Sequence, residues 1–201
     1  MATRTKRMAT GSKRMADAAT ANNIAATLMN SIQDSSCVVG VVGLGYVGLP
    51  LAVEFASAGI RTIGFDVSRE KVAMLQKGKN YIQDIDDSRI HTIWKNKSFR
   101  ATTDFAACAE CNVIYICVPT PFTDNKDPDI SHIVESTRAV AAFMKKGTLV
   151  IVKSTTFPGT TRKYVQPILD ETGMVCGRDY FLSFSPERID PGNATWTFRV
   201  T

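Results

Sequence analysis

The segment Gly43-Leu44-Gly45-Tyr46-Val47-Gly48, here called the glycine stretch, predicts the fold through the residues on either side of it. The run before it, Cys37–Val42, is apolar and β-branched, which is typical of a buried parallel strand. The run after it, Tyr46–Ala58, has apolar residues at helical spacing and is followed by Gly59, a residue suited to close a helix. The next strand-like run, Ile60–Asp66, ends in an acid. A glycine-rich turn from strand to helix, with an acid closing the next strand, predicts a βαβ unit.

Each glycine of this stretch has its own physical reason in a loop that holds a dinucleotide. Gly43 permits the tight turn, Gly45 lets the backbone approach a pyrophosphate, and Gly48 lets the helix pack closely on the strand. The free N–H groups at the helix N-terminus favour phosphate binding there. A glycine-rich turn without a ligand is the alternative, and the strand, helix and acid around the stretch argue against it.

Asp66 predicts which dinucleotide binds. It lies 18 residues past Gly48, where a carboxylate can accept both hydroxyls of the adenosine ribose. Its charge repels a 2′-phosphate, so NAD is predicted rather than NADP. Arg69 and Lys71 leave a phosphate contact open, and both could equally be solvated helix charges.

Strand-like and helix-like runs alternate along the rest of the chain. The predicted strands are Phe99–Thr102, Asn112–Val118, Leu149–Lys153 and Tyr180–Ser183. The predicted helices are Ser68–Gln76 and Ser131–Lys145, each with its first serine as N-cap, and Ser88–Asn96, Asp104–Ala109 and Thr160–Glu171. This alternation implies right-handed crossovers. The predicted fold class is therefore α/β, a Rossmann-like doubly wound parallel sheet, in a single domain over residues 37–201.

Residues 1–36 are predicted to be a flexible basic leader. Five Lys and Arg residues precede the first acid, Asp17, whereas the rest of the chain has 19 basic and 19 acidic residues. The net charge of +5 therefore equals that of the five basic residues before Asp17, and the near-neutral remainder predicts no nucleic-acid binding. A short helix around Asn23–Ile32 is left open, as is a transit-peptide role for the leader against that of a solvated arm.

The cysteines and apolar runs predict the compartment. Five cysteines in a chain without a secretory signal predict reduced thiols and a cytoplasmic location. No run approaches 18 apolar residues, so no membrane span is expected. Cys108 and Cys111 lack the second pair that a zinc site needs, and Asp124, Asp127 and Asp129 lack the spacing of a calcium loop. No metal site is predicted.

Three further segments follow predicted strands and should face the same crevice as the glycine stretch, because strand carboxyl ends line the ligand site of a doubly wound sheet. They are Val118-Pro119-Thr120-Pro121, Lys153-Ser154-Thr155-Thr156 and Ser183-Phe184-Ser185-Pro186-Glu187-Arg188. Thr120 supplies a small hydroxyl on a loop that its flanking prolines hold rigid. Thr155 is predicted to contact the cofactor from the next loop.

Four runs together resemble one family. They are Gly43-Leu-Gly-Tyr-Val-Gly-Leu-Pro-Leu-Ala52, Val118-Pro-Thr-Pro121, Val152-Lys-Ser-Thr-Thr-Phe-Pro-Gly-Thr-Thr161 and Ser185-Pro-Glu-Arg-Ile-Asp-Pro-Gly-Asn193. In this order and at these separations they closely resemble the UDP-glucose/GDP-mannose dehydrogenase family, from Cys37 to the C-terminus. The last run is most similar to the branch that acts on UDP-N-acetylglucosamine or UDP-N-acetylmannosamine.

The resemblance implies a two-step oxidation of the sugar C6 alcohol to a carboxylate with two NAD. A cysteine traps the aldehyde, hydride transfer gives a thioester, and water hydrolyses it. Glu187 matches the family's glutamate near C6 and the catalytic water, which implies a general base. Thr120 matches the cofactor-loop threonine that helps hold that water or the nicotinamide. The residues that match the NAD site are Gly43, Gly45, Tyr46, Val47, Gly48 and Asp66, with Lys71 at a basic phosphate contact.

Two departures from the family pattern bear on activity. Pro191 stands where some relatives carry a second acid, which fits the N-acetyl branch. The catalytic Gly-Phe-Gly-Gly-x-Cys motif, the central helix and the C-terminal domain of the family are absent from the 201 residues. The polypeptide is therefore expected to be truncated and inactive alone. Full-length family members are expected to act on a UDP-sugar as homodimers or higher oligomers.

Three alternatives stay open at this point. The chain could be a non-catalytic dinucleotide-binding module that acts through a partner. A hydroxyacid or 6-phosphogluconate-type dehydrogenase would share the glycine stretch, although the Ser-Pro-Glu-Arg segment argues against it. The segment Tyr81–Ile85 resembles a family loop near the substrate and could equally be a packed connector.

Overall fold

Six parallel strands form one sheet in the computed structural model of the chain, which describes residues 20–121 and 128–186. The strands are β1 (Val39–Val42), β2 (Thr62–Phe65), β3 (Phe99–Thr102), β4 (Val113–Ile116), β5 (Leu149–Val152) and β6 (Phe181–Phe184). The helices are α1 (20–33), α2 (Gly48–Ser57), α3 (Arg69–Leu75), α4 (Asp87–Lys95), α5 (Ser131–Ala141) and α6 (Gln166–Asp170). A 3₁₀ helix, Phe105–Glu110, precedes β4.

The strand order confirms the predicted fold class. The order is β3-β2-β1-β4-β5-β6, and every neighbouring pair is parallel. This is the Rossmann order, in which the winding reverses between β1 and β4 and leaves a crevice at their carboxyl ends. All four residues of β1 and of β2 are buried, because two hydrophobic clusters pack against the sheet.

Short polar side chains accept backbone N–H groups at the N-termini of α3 and α5. Ser68 caps α3 as predicted, since its hydroxyl accepts the Lys71 N–H at 3.3 Å. The prediction that Ser131 caps α5 is wrong, because its own N–H donates to the Asp129 carboxylate at 2.8 Å and Ile130 occupies the N-cap position. The Ser131 N–H also lowers the pKa of Asp129. A carboxylate two residues ahead thus takes over the role of the serine.

The predicted helix Thr160–Glu171 consists of two parts. A π-helical turn, Thr161–Val165, leads into the α-helical residues of α6. Pro167 lies in the first turn of α6 and cannot donate the backbone hydrogen bond that would continue an α-helix across the junction. The sequence pattern found the element but not this local widening.

Helix α1 corrects the predicted domain boundary. The helix left open around Asn23–Ile32 is confirmed and extends over residues 20–33. Its Leu28 is only 8% exposed and packs in the cluster that contains β1. The Cys37 N–H donates to the Ser31 carbonyl at 2.9 Å. Residues 20–36 therefore belong to the folded domain and not to a flexible leader, whereas residues 1–19 lie outside the described ranges.

Candidate cofactor site

The carboxyl ends of β1, β2, β4 and β5 open onto one cleft of about 790 Å³. The glycine stretch and Asp66 form one side of it, and the loops after β4 and β5 and part of α5 form the other. The cleft lies at the reversal of strand order, where doubly wound sheets bind their ligands. Its size is that of a small-molecule site.

The three glycines of the stretch differ in what a side chain would meet. A Cβ on Gly43, whose φ is +89°, would lie 2.6 Å from the Cys117 carbonyl oxygen, and one on Gly48 would lie 1.8 Å from the Gly43 carbonyl oxygen. A Cβ on Gly45 would meet no atom within 4 Å. Gly43 and Gly48 are therefore needed for the packing of the turn and the helix. The open space beside Gly45 fits a pyrophosphate that approaches the backbone.

Asp66 is buried beside the glycine stretch and lines the cleft. Its Oδ2 accepts the Leu44 N–H at 2.9 Å, and its Oδ1 accepts the Ser68 N–H at 2.9 Å. Each carboxylate oxygen keeps a further lone pair. Two backbone donors therefore hold this carboxylate where it could accept ribose hydroxyls and would repel a 2′-phosphate.

Lys71 and Arg69, the two candidates for a phosphate contact, differ in their position relative to the cleft. Lys71 lines the cleft, with its Nζ 3.9 Å from Asp66 Oδ2 and 5.9 Å from the centre of the Tyr81 ring. Arg69 is exposed and does not line the cleft. Lys71 is thus the better placed of the two to contact a ligand phosphate.

Hydrogen bonds tie the loops after β4 and β5 together. The Thr120 hydroxyl donates to the Thr155 carbonyl at 2.7 Å, and the Ser154 hydroxyl donates to the Val118 carbonyl at 2.7 Å. The structure brings Thr120 and Thr155 together at the cleft, as their positions after neighbouring strands predict. Because the Thr120 proton is used in this bond, its oxygen offers acceptor lone pairs. Thr120 could accept a hydrogen bond from an amide or a water.

Tyr46 and Val47 line the cleft where α2 begins. Tyr46 is 68% exposed, whereas Val47 is partly buried and packs on the core. An aromatic ring this exposed offers apolar area that a bound ligand could cover.

The predicted general base lies outside the described residues. The last residue that the structure describes is Pro186, so Glu187 and the residues after it are not placed. Ser185 and Phe184, which lead towards it from β6, are exposed. Asp124 and Asp127 also fall outside the described ranges.

The cleft also contains residues that the sequence pattern did not predict, and one, Tyr81, for which it allowed two interpretations. His132, Glu135 and Ser136 of α5 line the cleft and were not predicted. Their helical spacing, on a helix that follows the Thr120 loop, was the available signal. Tyr81 also lines the cleft, and its hydroxyl donates to the Leu44 carbonyl at 2.6 Å.

The five cysteines are free thiols, and four of them are buried, as the core interpretation predicts. Burial raises the pKa of Cys108 and of Cys111 to about 12, so both stay protonated at neutral pH and are poor nucleophiles. Within residues 20–121 and 128–186, no group of three or more His, Cys, Asp or Glu could hold a metal ion. No helix in those ranges is long and apolar enough to cross a membrane.

Fold and site together define a dinucleotide-binding Rossmann domain of the kind that dehydrogenases use. Comparison with known proteins identifies the family. Residues 37–199 match the model of the UDP-glucose/GDP-mannose dehydrogenase family, NAD binding domain. The chain belongs to this family, and its cofactor is NAD.

Several relatives share this domain. The UDP-N-acetyl-D-glucosamine 6-dehydrogenase of Pseudomonas aeruginosa is 38% identical over 77% of this chain and 36% of its own length. The UDP-D-ManNAc dehydrogenase structure from Pyrococcus horikoshii is 36% identical, with a TM-score of 0.73 over 77% of this chain and 37% of that chain. A GDP-mannose dehydrogenase structure from Pseudomonas aeruginosa is 30% identical, with a TM-score of 0.73 over 76% of this chain and 36% of that chain. The chain spans little more than a third of the length of these relatives.

Proposed function

We propose that this chain is the NAD-binding part of a dehydrogenase that oxidises the C6 alcohol of a UDP-N-acetylhexosamine to a uronate. The observation that carries the proposal is the cleft, in which Asp66 and the space beside Gly45 suit NAD. The substrate class is supported by relatives that are named as dehydrogenases of UDP-N-acetylglucosamine and UDP-N-acetylmannosamine.

Each side of the cleft has a separate task in this proposal. Bound NAD supplies a hydride acceptor, and two equivalents remove the four electrons that separate the alcohol from the carboxylate. Asp66 accepts the ribose hydroxyls, and Lys71 contacts a phosphate. Thr120, whose proton is held by the Thr155 carbonyl, accepts a hydrogen bond from the nicotinamide amide or from the water that supplies the second carboxylate oxygen.

Glu187 completes the proposed machinery as the general base that takes a proton from that water. This role rests on its match to the family's glutamate. The thioester step also needs an activated thiolate, and the protonated thiols of Cys108 and Cys111 do not supply one. We expect the 201-residue polypeptide to bind NAD and to leave UDP-sugars unoxidised, because the Gly-Phe-Gly-Gly-x-Cys motif that supplies the family's nucleophile is not among its residues. We also expect a cytoplasmic enzyme that acts as a homodimer or higher oligomer.

The test is NADH formation, followed by absorbance, with UDP-N-acetylglucosamine and UDP-N-acetylmannosamine. The polypeptide is assayed alone and after fusion to the C-terminal two thirds of the UDP-N-acetyl-D-glucosamine 6-dehydrogenase of Pseudomonas aeruginosa. We expect turnover only in the fusion, and none when Glu187→Gln is introduced although NADH still binds. Glu171→Gln, on an acid outside the cleft, is the matched control and should keep turnover.

Two results would count against the proposal. Turnover by the polypeptide alone would mean that one of its five cysteines is the nucleophile after all. NAD binding without turnover in a correctly folded fusion would favour a non-catalytic module that acts through a partner.

A further inference from the structure

Tyr81 contacts the glycine stretch from a different segment of the chain. Its hydroxyl donates to the Leu44 carbonyl oxygen at 2.6 Å, while the Leu44 N–H donates to Asp66 Oδ2 at 2.9 Å. The Leu44 side chain is fully buried. Both backbone polar groups and the side chain of this one loop residue are therefore held in place.

The Leu44 carbonyl and the Gly45 N–H belong to the same peptide group, which is planar and trans, so they point in opposite directions. Holding the carbonyl towards Tyr81 therefore also sets the direction of the Gly45 N–H. Glycine resists rotation of this peptide group less than other residues, because it has no Cβ. A Cβ at Gly45 would meet nothing within 4 Å, so local packing around that position does little to hold the peptide.

We propose that Tyr81 is a positioning residue for the cofactor pyrophosphate, which it serves by fixing the Leu44–Gly45 peptide so that the Gly45 N–H can donate to a phosphate oxygen. This inference rests on the NAD site and not on the identity of the sugar. It gives the connector between α3 and α4 a part in cofactor binding, although that connector lies outside the glycine fingerprint.

The connector is itself built to hold Tyr81. The Asn80 side-chain amide donates to the Ile82 carbonyl at 2.8 Å and to the Ile85 carbonyl at 2.6 Å, and its oxygen accepts the Ile82 N–H at 2.9 Å. Both isoleucines are buried. Burial, with a smaller contribution from Asp66, raises the pKa of Tyr81, so its hydroxyl remains a donor throughout the neutral pH range.

The test compares Tyr81→Phe with the unmodified chain by NADH fluorescence titration and by displacement with ADP-ribose and adenosine. Loss of one hydrogen bond should weaken NADH and ADP-ribose by about three- to tenfold. Adenosine lacks the pyrophosphate and should change by less than about twofold. The ¹⁵N–¹H resonance of the Gly45 amide should shift in this variant.

Tyr180→Phe is the matched control. It removes a hydroxyl that donates to Asp170 Oδ1 at 2.7 Å, and neither of these residues lines the cleft. It should lower the melting temperature while leaving NADH affinity and the Gly45 resonance unchanged. The inference is wrong if Tyr81→Phe binds NADH as the unmodified chain does, or if adenosine weakens as much as ADP-ribose. Failure of the unmodified chain to bind NADH would instead contradict the proposed function.

Discussion

The carboxylate of Asp66 accepts the N–H of Leu44 at 2.9 Å, which joins the acid after β2 to the glycine stretch after β1. The same side chain that could receive the adenosine ribose therefore also braces the loop beneath the pyrophosphate. We therefore expect both cofactor choice and loop geometry to depend on this one residue.

Asp66→Asn should reduce the preference for NAD over NADP. We expect the unmodified chain to favour NAD by roughly 2–4 kcal/mol, because NADP meets charge repulsion and loses charged hydrogen bonds. Asparagine has no charge and one acceptor oxygen, so NAD should bind roughly ten- to a hundredfold more weakly, and the penalty against NADP should shrink. Calorimetry with both cofactors measures this.

Asp84→Asn is the control for that experiment, because it makes the same charge change on an exposed acid that does not line the cleft. It should leave both affinities unchanged. Equal affinities of the unmodified chain for NAD and NADP would show that Asp66 has been misassigned.

Gly45→Ala and Gly48→Ala should separate binding from folding. The methyl group added by Gly45→Ala would meet nothing within 4 Å. This variant should therefore melt within about 3 °C of the unmodified chain and lose most of its NAD affinity. The methyl group added by Gly48→Ala would lie 1.8 Å from the Gly43 carbonyl oxygen, so this variant should be strongly destabilised. Thermal unfolding and NADH titration are run on both. Tight NADH binding by Gly45→Ala would contradict the close approach of the pyrophosphate.

Leu28→Ala should destabilise the domain, whereas Met29→Ala should not. Leu28 is 8% exposed in the core cluster and Met29 is 54% exposed on the same helix. Truncation of a buried leucine costs about 2–5 kcal/mol, while an exposed substitution stays within about 0.5 kcal/mol. Urea unfolding of the two variants measures the difference. Equal stabilities would return residues 20–36 to the status of a dispensable leader.

Asp179 should support stability in a pH-dependent way. It is 2% exposed, and it accepts from the Arg178 guanidinium at 2.6 Å and from the Val175 N–H at 3.0 Å. These bonds, led by that of Arg178, lower its pKa from 3.8 to about 2. Because the folded pKa lies below the unfolded one, the contribution is complete above about pH 4 and is lost as the pH falls towards about 2.

Asp179→Asn should therefore lower the melting temperature near neutral pH and flatten its fall over that acid range. Melting temperatures between about pH 6 and pH 2 test this. Asp84→Asn should keep the slope of the unmodified chain, and an unchanged slope in Asp179→Asn would assign the acid sensitivity to other groups.

The sheet, the glycine turn and the acid at the end of the second strand follow from local patterns in the sequence. Gly43, Gly48 and Asp66 could be assigned because their roles depend on neighbours in the chain: a strand before, a helix after and a crossover of ordinary length. The loops of Thr120 and Thr155 could be brought together for a similar reason, since parallel strands put their carboxyl ends at one edge.

The contacts that these residues make with distant parts of the chain depend on the tertiary structure. Whether Leu28 packs in the core depends on a surface that exists only once β1 lies in the sheet. Tyr81 reaches the Leu44 carbonyl across 37 positions of sequence, and no local spacing encodes that contact. Periodicity and turn chemistry act over a few residues, whereas the partner of a buried hydroxyl is set by the way separate segments close around one cleft.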